Sequence, residues 1–117
     1  MMSCATSFKG LDYFKPHGYI TDYYTDEAIK FIETNKDRPF YLNLAHWPPH
    51  NPLPLQALKA DYDLLPQIKD QTHSVYAAMI KSLDRSVGRV TQALKDNALE
   101  DNAMIIFVSI TAVLINS

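Results

Sequence analysis

The hydrophobic positions of this chain change period along its length, and each change marks a predicted element. From Asp70 to about Asn97, Tyr76, Met79, Ile80, Leu83, Val87, Val90 and Leu94 recur at spacings of three and four. That is one face of a long helix, with Lys81, Asp84, Arg85 and Arg89 on or beside the other face. An earlier helix runs to about Thr34, capped by Thr21 or Asp22, with Asp26 and Glu27 near its positive end. Ala28, Phe31 and Ile32 form its buried side, and Asn35-Lys36-Asp37-Arg38-Pro39 stops it.

Two shorter runs read differently. Phe40 to Ala45 is mostly apolar, as expected of a strand buried on both faces, and Met104 to Val108 is a second β-rich run after the turn-like Leu99-Glu100-Asp101-Asn102. Strand, long helix, strand is the order of a parallel βαβ unit with a right-handed crossover, so both strands would end on one sheet edge. The loops after Ala45 and after Ser109 would then lie side by side, where open α/β sheets bind ligands.

Composition narrows the function classes. At 117 residues, 47% hydrophobic and 21% charged, the chain fits one domain or part of a larger one. Net charge is -2 with no basic stripe, which argues against a nucleic-acid partner. The single cysteine, Cys4, excludes an internal disulfide and a cysteine-built zinc site. The apolar run Ala103 to Ile115 has thirteen residues, short of the roughly 20 of a membrane span. Met1 to Gly10 lacks the basic region and apolar core of a signal peptide, so the chain is either cytosolic or without its true start.

Candidate chemistry gathers in Ala45-His46-Trp47-Pro48-Pro49-His50-Asn51-Pro52. His46 and His50 are four apart, but Pro48, Pro49 and Pro52 forbid a helix, so the spacing is not that of a helical metal site. Trp47 is expected to pack and orient the loop. His17 and His73 read as structural or solvent-exposed, and Asp61-Tyr62-Asp63 and Glu100-Asp101 as solvated caps rather than acid–base dyads. The helical stripe reads as core, not as a cofactor box.

Four motifs between His17 and Ser109, roughly four fifths of the chain, share one resemblance. They are Gly18-Tyr19-Ile20-Thr21-Asp22 leading into Ala28-Ile29-Lys30-Phe31-Ile32, and Arg38-Pro39-Phe40-Tyr41-Leu42 running to Pro49-His50-Asn51-Pro52. Tyr76-Ala77-Ala78-Met79-Ile80 with Leu83-Asp84-Arg85-Ser86-Val87-Gly88, and Leu99-Glu100-Asp101-Asn102 before Ile105-Ile106-Phe107-Val108-Ser109, complete the set. In this order and spacing the segment resembles the type I sulfatases of the alkaline-phosphatase superfamily, especially arylsulfatase B-like and N-acetylgalactosamine-6-sulfatase-like members. The resemblance implies an α/β fold: a partial alkaline-phosphatase-like sandwich with a parallel βαβ unit and an incomplete sheet. It also implies that His50 faces the sulfate group of a sulfate ester substrate, where an imidazolium can hydrogen-bond an oxygen and pass a proton. His46 is a second, weaker candidate for substrate binding.

The chain departs from the family pattern at both ends. The family nucleophile is a formylglycine made from a Cys/Ser-x-Pro-x-Arg motif and held beside Ca2+. Cys4-Ala5-Thr6-Ser7-Phe8 has threonine for the proline and phenylalanine for the arginine, and it lies too close to His50 to be that motif. Beyond Ser109 the family continues Asp-Asn-Gly-Gly, whereas this chain has Ile110 and Thr111, and no charged residue or histidine follows Asp101. The genetic code offers a reason. Asp-Asn-Gly-Gly-Ala written GAT-AAC-GGC-GGT-GCT becomes ATA-ACG-GCG-GTG-CT on loss of the first G, matching Ile110 to Leu114. Residues 1–117 are therefore expected to be a fragment of a sulfatase catalytic domain, family-like over 17–109, with 110–117 a frameshifted tail or, as the alternative, further buried structure of an unrelated domain.

The resemblance also implies a parent activity of sulfuric ester hydrolysis on an aryl or sugar sulfate. This chain is expected to be inactive alone, with no catalytic set complete and no cofactor bound. Two alternatives stay open: a phosphate or phosphonate ester hydrolase of the same superfamily, or a truncated, non-catalytic interaction protein. The intact family is usually secreted, periplasmic or lysosomal.

Overall fold

The computed structural model describes residues 7–9, 12–14, 16–49 and 57–109. In chain order its elements are β1 (Ser7–Lys9), β2 (Asp12–Phe14), α1 (Ile20–Asn35), α2 (Lys59–Asp63) and α3 (Gln71–Asp96), with a 3-10 turn at Glu100–Asn102. β1 and β2 form an antiparallel pair in which Ser7 faces Phe14 and Lys9 faces Asp12. The connecting sequence contains Gly10, the residue type that short hairpin connections favour.

α1 begins slightly earlier than its sequence suggests. Gly18 takes a positive φ of 79°, Tyr19 is extended, and the first helical bond runs from Tyr23 N–H to the Tyr19 carbonyl at 3.0 Å. Thr21 does not cap the helix; its side chain is fully buried within it. At the other end Asn35 donates to the Phe31 carbonyl at 2.7 Å and accepts from Arg38 Nε at 2.8 Å, closing the helix just before Pro39.

α3 matches the long periodic stretch and is well capped. Asp70 accepts from the His73 N–H at 2.8 Å, and the Ser74 hydroxyl donates to the Ile68 carbonyl at 2.6 Å. The helix ends with Leu99 N–H donating to the Leu94 carbonyl at 2.9 Å, across an Ala98 held at φ 56°. Its buried face differs from the apolar stripe in an informative way. Ser74, Val75, Ala78, Met79, Ser82, Ser86, Ala93 and Leu94 are buried, while Tyr76, Leu83, Val87 and Val90 are half-buried and Ile80 is exposed. Small side chains take the innermost positions because α1 packs there with Thr21, Thr25, Ala28 and Ile32.

The contacts between α1 and α3 advance together along both helices. Tyr19 with Ser82, Asp22 with Arg85, and Asp26 with Arg89 are each separated by 63 residues. The two helices therefore run parallel, which is how neighbouring crossover helices lie on one face of a parallel sheet.

The expected sheet is not formed among the described residues. Phe40 to Ala45 and Met104 to Val108 make no ladder, and the only strand pairing described is that of β1 with β2. The first segment keeps the periodicity of a strand covered on one face only: Phe40, Leu42, Leu44 and His46 are half-buried, and Tyr41, Asn43, Ala45 and Trp47 are exposed. The second is exposed throughout, from 59% at Ile105 to 88% at Met104. A buried strand needs neighbours on both edges and cover on both faces, and the described residues supply one helical layer.

Candidate functional site

The segment that leads to the histidine loop is seated on α1 by local contacts. Pro39 ends helical continuation, and the Phe40 ring meets Phe31 edge-to-face with centroids 5.6 Å apart. Two-residue alternation then brings His46 to the helical side. There its Nε2 lies 2.8 Å from Ser86 Oγ on α3. Ser86 Oγ is in turn 2.6 Å from Thr25 Oγ1, which donates to the Thr21 carbonyl at 2.6 Å. One polar chain thus joins the loop to both helices across a buried interface.

The other ring nitrogen, Nδ1, is buried and has no hydrogen-bond partner among the described residues. Burial pushes the imidazole pKa of His46 below its ordinary value, so the ring is neutral near pH 7. Trp47, expected to pack, is half exposed, whereas Pro48 beside it is buried and joined to Pro49 by a cis peptide.

His50 lies outside the described residues, as do Cys4, Ile110 and Thr111. His17 is exposed, and His73 pairs through Nδ1 with Asp70 at 2.8 Å at the start of α3; neither joins the His46 chain. The Asp61-Tyr62-Asp63 stretch corrects the expectation of a solvated cap. Asp61 is buried, with Oδ1 accepting from Arg85 Nη1 at 2.5 Å, while Asp63 stays exposed against Lys59. Arg85 also reaches Asp22 at 3.5 Å, so one guanidinium ties α1, α2 and α3 together, and the bond to Asp61 raises its pKa further. Sequence reasoning missed the roles of Ser86 and Thr25 and took Asp61 for a solvated residue. The visible signal for the first was a run of small residues, Ala78, Ser82 and Ser86, at a spacing of four within the helix.

Among the described residues no group of three or more His, Cys, Asp or Glu could hold a metal ion. Asp22 and Asp61, which approach the same guanidinium, are both already paired with Arg85 and offer only two carboxylates where a hard cation takes about six to eight oxygens. These residues do not fit Ca2+. Nor does any helix among the described residues have the length and apolarity to cross a membrane.

Comparison with known proteins covers the same stretch. The Sulfatase family model matches residues 4–109, beginning upstream of His17 and ending at Ser109. The uncharacterized sulfatase YdeN of Escherichia coli (strain K12) is 38% identical over 108 residues, 87% of this chain and 18% of that protein. The crystal structure of Ps i-CgsB superposes with a TM-score of 0.73 at 40% identity, covering 80% of this chain and 21% of that one. The same values hold for Ps i-CgsB in complex with k-i-k-neocarrahexaose. The chain thus spans about a fifth of the length of the relatives it matches.

Proposed function

This chain belongs to the sulfatase family, with an alkaline-phosphatase-like fold shared with its structural neighbours, and from that membership we propose that it is one segment of a sulfuric ester hydrolase acting on a sulfated saccharide. The observation that carries the reading is the tether from His46 to Ser86, which fixes the start of the histidine loop against the helical layer. A loop anchored beyond the end of a strand-like segment is where an α/β sheet binds its ligand.

In this reading segments 40–45 and 104–108 are neighbouring parallel strands of a sheet completed by the remainder of the catalytic domain. The parallel run of α1 and α3 supports it, since crossover helices on one sheet face share a direction. His50 contacts the sulfate and donates a charge-assisted hydrogen bond to it. The saccharide in the complex of Ps i-CgsB supports a sugar rather than a simple aryl ester. The intact family supplies formylglycine and Ca2+; the described residues do not fit the metal, and the sequence carries no Cys/Ser-x-Pro-x-Arg motif, so the 117 residues alone are expected to be inactive.

Residues 110–117 are read as a frameshifted tail, a reading supported by the end of the family match at Ser109. The test is to sequence the gene beyond both ends, restore the base before the Ile110 codon, and assay the resulting enzyme on a sulfated oligosaccharide. Release of inorganic sulfate that is lost in His50→Ala is the expected result. Phosphate release from a phosphate ester, without sulfate release, would overturn the sulfatase reading. Sulfate turnover by the 117-residue chain would overturn its inactivity.

A further inference from the structure

The direction of every proton in the His46 chain is set by its far end. The Thr21 carbonyl can only accept, and at 2.6 Å from Thr25 Oγ1 it must receive the single hydroxyl proton of Thr25. The contact of 2.6 Å between Thr25 Oγ1 and Ser86 Oγ then needs the proton of Ser86. With that proton committed, Ser86 can only accept from His46, so the hydrogen at the 2.8 Å contact belongs to Nε2. The reverse order, with Thr25 donating to Ser86 and Ser86 to His46, would leave Thr25 Oγ1 and the Thr21 carbonyl oxygen 2.6 Å apart with no hydrogen between them.

We propose that His46 is a positioning residue held by Thr25 and Ser86 as the Nε2–H tautomer, with a bare Nδ1 that accepts from an N–H or O–H donor of the polypeptide. The assignment rests on the reading of the adjoining loop as a sulfate site, and it removes His46 from direct contact with the sulfate. A sulfate oxygen carries lone pairs and negative charge, and a bare imidazole nitrogen would repel it. Nδ1 is buried without a partner among the described residues, and a buried polar atom is ordinarily hydrogen-bonded, so a donor is expected to face it. The consequence is a division of labour within one loop: His46 anchors through its tautomer, and the residues beyond Pro49 are left to meet the ligand. Tautomer and loop position are coupled, because turning the ring to present a bare Nδ1 to Ser86 would leave the Ser86 oxygen without its donor.

The test uses the full 117-residue chain with 15N-labelled histidine, and two-dimensional NMR that distinguishes protonated from bare ring nitrogens above pH 7. The wild-type chain is expected to show His46 as Nε2–H. Ser86→Ala and, independently, Thr25→Val should each mix the tautomers, while Ser86→Thr, which keeps the hydroxyl, should restore the wild-type pattern. Circular dichroism identifies any variant that has lost its helices, and Thr25→Val then carries the test because it preserves side-chain shape. Titration with inorganic sulfate should leave the His46 signals unmoved. An Nδ1–H ring in the wild type, an unchanged tautomer in both hydroxyl deletions, or protonation of Nδ1 on adding sulfate would each overturn the proposal. Failure of the restored enzyme to release sulfate would instead count against the sulfatase reading and leave the tautomer result standing.

Discussion

Asp61 Oδ1 sits 2.5 Å from Arg85 Nη1, and the two partners are unequally solvated: the carboxylate side chain is 4% exposed and the guanidinium 36%. This asymmetry decides what each deletion costs. Arg85→Met strands a buried carboxylate, whereas Asp61→Ala leaves a guanidinium that water and Asp22 still solvate. A fully buried pair loses about 3–5 kcal/mol when one partner is removed, and partial exposure of Arg85 reduces that here to about 2–3 kcal/mol. Asp61→Ala is expected to cost about 1 kcal/mol. Urea unfolding of both variants checks the ordering; an equal loss for the two would mean that burial of Asp61 does not set the energetics.

Ala98 offers a gain rather than a loss. It occupies the left-handed region at φ 56°, just past the end of α3, where the Leu99 to Leu94 backbone bond closes the helix. An alanine there carries a steric penalty of about 1–2 kcal/mol that glycine avoids, partly offset by the greater freedom of glycine in the unfolded chain. Ala98→Gly is expected to stabilise the chain by about 0.5–1 kcal/mol. Thermal unfolding would show a raised Tm, and a lowered one would mean that the turn relaxes in solution.

Legibility in the sequence tracked the range of the interactions. α3 was legible because a repeat of three and four is local, and α1 because Pro39 and the Asn35 region stop a helix wherever they occur. The alternation from Phe40 to Trp47 survives in the fold, but the expected burial on both faces does not, since such burial needs sheet neighbours that the described residues do not supply. Thr25 and Ser86 meet only because α1 and α3 run parallel in one register, which no local pattern encodes. The burial of Asp61 likewise depends on Arg85, 24 residues away. The loop was found from its prolines and histidines; its anchoring through His46 was not, because the acceptor lies 40 residues further along the chain.

Stability should depend on pH through two groups with opposite charges and the same sign. His46 has a folded pKa below its ordinary 6.5, so the unfolded chain binds the proton more readily. Its neutral form therefore favours folding fully above about pH 6.5, and that contribution is lost as pH falls through the folded pKa. Asp70 is held below its ordinary 3.8, chiefly by the His73 N–H, so its contribution persists above that pH and is lost at still lower pH. Unfolding free energy measured from about pH 8 to about pH 5 should decline below 6.5 in the wild type and flatten in His46→Gln. An unchanged slope in the variant would assign the decline to another group.

The run from Met104 to Val108 carries five large apolar side chains, all at least 59% exposed, on a segment with no strand partner among the described residues. In the intact domain it is read as a sheet strand, and the 117-residue chain leaves it open to any apolar surface it meets. Exposed β-prone segments without charge are templates for pairing with further copies. The isolated chain is thus expected to self-associate as concentration rises, through this segment and not through the charged faces of α1 and α3. Ile106→Lys places a charge at the centre of the run, where Ile106 is 74% exposed and makes no core contribution that the substitution would remove. Sedimentation velocity should show the wild type shifting to larger species while Ile106→Lys stays monomeric at the same concentration. Equal association of the two would place the sticky surface elsewhere; a monomeric wild type would mean that the segment is covered by the chain itself.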